Sequence, residues 1–398
     1  MKLPFVILCC ALFGTLGAEE TAEQLLNRLA GTPLCGSAEL WREPPAAVIR
    51  RLKVNCRAEN TGNGKMYAAR VARLVFGIQA AELRIFAVEG RTARVDVFLV
   101  NKGDSAIGNK RRGDIRNELR RARADVEKLF RESLGRPRKF PYGTGTLRRQ
   151  LPVWQRGRYA IAIDSVDGEY LIVRIAPPEA LASRRRSPEE QPKPLKNCSA
   201  NVKRLENGDV FIANVPMVDQ GRKGYCVPAT VERVMRYFGV SGVDMHQLAE
   251  KYKTGVGGST RADRMARGSR QLLEDHGLKM REVGKLKRHA IVKYVDRGIP
   301  VLWFHHSTPA FKKRLDFSLG SRGRATPEGW KRILAGQKRI RQANDNPHIA
   351  LIVGYNRETD EFAVSNSWGE RYRIAWVRFA DMTQADSKMN LFVVEPRK

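Results

Sequence analysis

The sequence predicts an α+β protein built in two parts, and three observations point to it. Strand pairs joined by Gly-containing turns recur before residue 177, a polar stretch follows, and an amphipathic helix opened by a cysteine begins at residue 226. At 398 residues, 42% of them apolar, the chain is long and apolar enough to bury two cores.

The first segment is expected to lie outside the fold. Met1-Lys2 is basic, Phe5 to Leu16 is apolar, and Gly17-Ala18 precede Glu19-Glu20. That order is the layout of a secretory signal peptide spanning 1–18. Its apolar run of about 12 residues falls short of the roughly 20 that cross a bilayer. No later segment is a better candidate for a span. Export to the periplasm, the cell envelope or the exterior is therefore expected. Removal of 1–18 leaves Cys35, Cys56, Cys198 and Cys226. In an oxidising compartment, Cys35 and Cys56, close in sequence, are the expected disulfide, and the state of Cys198 stays open.

Residues 19–177 read as a small α+β domain. Helix and loop run to about Asn60. Leu83 to Val88 and Ala93 to Val100 flank Glu89-Gly90-Arg91 as a hairpin. A charged helix covers Asp114 to Leu134, with Ile115, Leu119, Val126 and Phe130 as its apolar stripe. A second hairpin, Tyr159 to Ile163 and Tyr170 to Ile175, turns at Asp167-Gly168. No chemistry is legible there, so this domain is expected to stand apart as a regulatory or targeting unit. Residues 178–200, with Arg184-Arg185-Arg186, read as a linker, and 201–398 as the second domain.

The 72 Lys+Arg against 42 Asp+Glu give a net charge of +30. Such a field favours acidic partners, but it is spread evenly over both halves, and no aromatic residues interleave with the basic ones as a base-stacking surface requires. Specific nucleic-acid binding is therefore not expected. A basic stretch, Phe311 to Arg341, holds ten Lys/Arg against Asp316 and Glu328 and is expected to bias a cleft toward anionic substrates. The oligomeric state is not legible.

The most informative stretch runs from Val215 to Thr230. Val231, Val234, Met235 and Phe238 recur at helical spacing, Pro228 suits a first turn, and Gly239 closes the pattern. Cys226 thus opens a helix, where the dipole and free N–H groups are expected to lower its pKa and favour the nucleophilic thiolate. Of six histidines, His348 opens the strand His348 to Tyr355, and a short turn leads to Phe362 to Gly369. Such a hairpin can put His348 and Asn366 at one end of adjacent strands, where an amide orients an imidazole. The glycine-rich loop Gly255 to Ser259 lacks the pattern of a phosphate cradle and is expected to line a cleft. No paired Cys or His spacing supports a metal site.

Gln220, then Cys226, then His348 with Gly354-Tyr355, then Asn366-Ser367-Trp368-Gly369, resembles the papain-like cysteine peptidase superfamily in the right order. The segment Tyr225 to Ala229 and on to Gly239 resembles the bacterial double-glycine leader peptidases more closely. Those usually have Asp at the position of Asn366. The resemblance covers Val215 to Val377. It implies a papain-like fold for 201–398, with Cys226 as nucleophile, His348 as base, Asn366 as its orienter and Gln220 as oxyanion donor. It implies a peptide or protein substrate, acidic ones being favoured by the charge, and no metal or organic cofactor. Val227 stands where the papains have Trp, and Lys223 where they have a disulfide cysteine, so substrate preference does not carry over. An inactive papain-like binding module, a cysteine acyltransferase and an envelope-peptide amidase remain alternatives.

Overall fold

The computed structural model describes residues 20–397 except 62–63, 106–111, 144, 182–194, 196, 241 and 342–345. The expected signal peptide and most of the expected linker lie outside these residues.

The N-terminal half is one antiparallel eight-stranded sheet. Its strands lie in the order Arg57–Thr61, Gly64–Arg70, Glu82–Val88, Arg91–Asn101, Tyr170–Ala176, Tyr159–Val166, Arg149–Arg156 and Arg138–Tyr142. Both expected hairpins are present. The first turns through Glu89 and Gly90, each at positive φ, which glycine and a tight two-residue turn accommodate. Helix Arg112–Leu134 buries Ile115, Leu119, Val126 and Phe130. Together with helices Ala22–Ala30 and Pro45–Leu52 it encloses one core against the sheet, including Leu26, Val48, Ile85, Val97 and Ile163.

The expected disulfide is not formed: Cys35 and Cys56 are free thiols. Cys35 is buried, and the side chain of Asn27 holds its backbone N–H and C=O at 2.8 and 3.0 Å. Cys56 is half-buried just before strand Arg57–Thr61, and helix Pro45–Leu52 runs between the two. Nearness in sequence therefore does not become a bridge. Burial pushes the Cys35 thiol up to about 12 and that of Cys56 to about 11.

The C-terminal half holds a second antiparallel sheet. Its path is Val202–Arg204, Asp209–Ile212, Pro347–Asn356, Val301–His306, Phe392–Pro396 and Leu278–Glu282, and Glu361–Ser365 also pairs with Pro347–Asn356 and with Ala375–Arg378. Helix Cys226–Tyr237 packs on strand Pro347–Asn356 through Val227, Val231, Val234 and Met235, all in the core of this half. Gly239 follows the helix at φ 82°, where a side chain would be strained. Among the described residues, no helix is long and apolar enough to cross a membrane.

The two halves touch. His246 of the second half meets Phe98 and Tyr170 of the first sheet, 4.6 Å from Phe98 between ring centres, and Tyr225, 5.6 Å from His246, donates its hydroxyl to Asn101 of that sheet. Arg84 reaches Asp244 at 2.8 Å across the same seam, and Lys102 donates to the Thr254 carbonyl at 2.7 Å. Each half keeps its own core, so the N-terminal sheet is a separate α+β domain that touches the second one along this seam. The seam runs through the segment that leads into Cys226.

Candidate active site

Cys226 is the first residue of its helix, with Tyr225 at the N-cap. The backbone N–H groups of Cys226, Val227 and Ile349 are directed at its sulfur. Ile349 is the residue after His348, so the helix start and the strand start meet at this sulfur. The thiol is half-buried against the apolar core, and that burial pushes it up to about 11, against the pull of the three donors. The expected lowering is not found. A helix start favours a thiolate, but here desolvation outweighs it.

His348 is buried near the start of strand Pro347–Asn356. Its Nε2 lies 3.0 Å from Asn366 Oδ1. An amide oxygen only accepts, so Nε2 carries the proton and Nδ1 of the neutral ring is the free acceptor. Trp368 covers the ring with centres 4.6 Å apart. Burial holds the imidazole down at about 4, partly offset by the Asn366 bond. Asn366 follows strand Glu361–Ser365, whose Ser365 pairs with Leu351, and the Asn366 backbone N–H donates to the Tyr372 carbonyl at 3.0 Å. The sequence expectation that one hairpin joins these two side chains is met.

Gln220 is fastened to the same turn. Its backbone N–H donates to the Ser367 carbonyl at 2.9 Å, and its Oε1 accepts from the Ser367 hydroxyl at 2.6 Å. One Nε2 hydrogen goes to the Lys223 carbonyl at 2.8 Å, which leaves the other for a ligand. The Ser of Asn-Ser-Trp-Gly thus ties the candidate oxyanion donor to the candidate orienter.

Several residues were not singled out from the sequence. Arg233, buried on the Cys226 helix, donates to the Pro216 carbonyl at 2.8 Å, to the Ser365 carbonyl at 3.1 Å and to the Ser365 hydroxyl at 2.5 Å. It bolts the helix to both segments that flank the site. No local pattern distinguishes it from an exposed arginine. His305 lies opposite His348 in the strand register, stacks on Trp303, and meets His348 edge-on with ring centres 5.2 Å apart.

The N-terminal sheet holds the Gln220–Cys226 segment from outside. Lys223 is buried, pairs with Glu82, and lies 3.3 Å from Asp104. The ammonium and the Arg84 guanidinium hold the buried Glu82 carboxyl well below its usual range, against desolvation. The Asp219 backbone N–H donates to Glu59 at 3.1 Å, Arg57 pairs with Asp219, and the Tyr225 hydroxyl donates to Asn101 at 3.1 Å. On the other side, Gly224 packs on the turn Gly257-Gly258, so close that a Cβ on Gly224 would sit 1.9 Å from the Gly257 carbonyl oxygen. The glycine-rich loop therefore supports the segment before Cys226.

Residues 212–385 match the sequence profile described as the Peptidase_C39 like family. That match covers under half of the chain and supports a cysteine peptidase of the papain-like superfamily. No curated protein matches its sequence. Among solved structures it is similar to xylellain, a cysteine protease from Xylella fastidiosa, at 13% identity and TM-score 0.33, over 52% of this chain and 90% of that one. It is also similar to an extracellular protein containing a SCP domain from Bacillus anthracis, at 12% identity and TM-score 0.24, over 62% and 82%.

Proposed function

We propose that Cys226, His348, Asn366 and Gln220 hydrolyse peptide bonds through an acyl-enzyme. The observation that carries the reading is the His348 Nε2 to Asn366 Oδ1 bond of 3.0 Å, on a strand whose next N–H is directed at the Cys226 sulfur. With Nε2–H committed to Asn366, His348 Nδ1 takes the thiol proton as the sulfur attacks the carbonyl carbon. The resulting oxyanion is met by the Cys226 N–H and the free Nε2 hydrogen of Gln220. The imidazolium Nδ1–H then protonates the leaving amine as the C–N bond breaks. A water gives its proton to Nδ1 and attacks the thioester, releasing the acid and restoring the thiol.

The resting couple in this reading is thiol and neutral imidazole, because burial raises the one and lowers the other. Trp368 keeps water from the His–Asn bond. The order basic, apolar and small in Met1 to Ala18 extends the proposal to an exported enzyme, checked by fractionating cells that express the full chain. The direct test is hydrolysis of fluorescein-labelled casein by the full chain and by Cys226→Ala. The intact protein releases labelled fragments and the variant releases none. Undiminished hydrolysis by the variant would refute the reading.

A further inference from the structure

A cleft of about 1360 Å³ opens beside the site, between the edge of the N-terminal sheet and the C-terminal half. Trp368, which covers His348, and Gly221, next to Gln220, are among the residues that line it. Its volume exceeds the roughly 300–1,000 Å³ of small-molecule pockets, which fits a chain better than a compact metabolite.

The charge lining it is one-sided. Lys53, Arg57, Arg70, Arg73, Arg222 and Lys312 face the cleft, and Asp219 is the one carboxylate among its lining residues. Asp219 is already paired with Arg57. The other five cations make no ion pair with a described residue, and four of them, Lys53, Arg70, Arg222 and Lys312, are exposed. Elsewhere on the chain many cations are spent in pairs. Arg314 meets Asp381, Arg322 meets Asp209 and Glu361, and Lys331 meets Glu358. Of the basic stretch 311–341, only Lys312 lines the cleft. The cations of the cleft come mostly from elsewhere, since Lys53, Arg57, Arg70 and Arg73 belong to the N-terminal half.

We propose that this cleft binds an extended acidic segment of the substrate polypeptide, and that the N-terminal sheet supplies the cations that select it. The proposal rests on the peptidase reading of the site. Low-dielectric walls and like charges concentrate the field in a cleft, so unpaired arginines there act more strongly on a carboxylate-rich chain than the same charges on an open face.

The test uses the full chain carrying Cys226→Ala, which cannot consume its ligand, with fluorescein-labelled octaglutamate and octaglutamine in about 0.15 M salt. Fluorescence anisotropy is expected to show octaglutamate bound at least about tenfold more tightly. Adding Arg70→Glu and Arg73→Glu should remove that preference. Adding Arg332→Glu and Arg339→Glu, exposed positions outside the cleft, changes net charge equally and should leave it in place. The neutral pair Arg70→Gln and Arg73→Gln gives the same reading should the reversed pair fail to fold.

Equal binding of the two peptides, or equal loss in cleft and control variants, would overturn the proposal. So would tighter binding of a thymidine octanucleotide, lost on the same cleft reversal, which would assign the cleft to a nucleic acid. Because binding is read on a variant unable to cut, the peptidase reading and the cleft proposal fail separately.

Discussion

At the scale of single residues, the site is set by where burial wins over local charge. His348 sits under Trp368 with one hydrogen-bond partner, and its pKa falls to about 4. A base whose pKa is depressed stays neutral, and so competent, at a pH where an ordinary imidazole is protonated. Casein hydrolysis should therefore hold its rate from neutrality down to about pH 5 and be half lost near pH 4. A half-loss near pH 6.5 would show an unperturbed histidine. Gln220 is tied by Ser367 and Lys223 with one Nε2 hydrogen to spare. Gln220→Ala should lower kcat by about 10²–10³ while Cys226 still reacts with a thiol-directed peptide epoxide. Unchanged kcat would remove Gln220 from the oxyanion role.

At the scale of elements, the segment from Val215 to Cys226 is held from three directions. Arg233 fixes its start, Ser367 its middle, and Lys223 its end. Lys223→Met leaves Glu82 and Asp104 without that ammonium and frees the backbone whose carbonyl anchors Gln220. Since misplacement of about 1 Å can cost on the order of 10²-fold in rate, kcat should drop at least about tenfold, with KM moving less. A loss confined to KM, or no loss, would show that the ion pair serves stability alone.

The elements that carry the site were legible because their signals are local. Apolar spacing after Cys226 marked the helix, short continuous apolar runs marked the strands of His348 and Asn366, and glycine marked the turns. What escaped was long-range or depended on depth. Lys223 meets Glu82 across 141 positions, and neither residue looks different from a solvated charge in the sequence. The helix start at Cys226 implied a lowered thiol pKa, yet the sequence does not show how much core surrounds the sulfur. Cys35 and Cys56 illustrate the same limit, since separation along the chain carries no information on packing.

At the scale of the whole molecule, the N-terminal sheet touches the segment that leads into Cys226. It pairs with Lys223, accepts the Asp219 amide on Glu59, accepts the Tyr225 hydroxyl on Asn101, and packs Phe98 and Tyr170 against His246. Residues 199–398 alone would expose those groups and release the Gln220 segment. That fragment should be at least about tenfold less active on casein than the full chain. Protein nicked within 182–194, with both halves still joined, should keep its rate. Higher activity in the fragment would instead make the sheet an inhibitory cover. The central claim is a covalent acyl intermediate on Cys226 formed with His348 as base. Acid-quenching the full chain during turnover of a labelled peptide ester, followed by peptide mapping by mass spectrometry, tests it most directly. The account predicts an acyl adduct on Cys226 and its loss in His348→Ala. Turnover without an adduct on Cys226, or an adduct on Cys35, Cys56 or Cys198 instead, would contradict it.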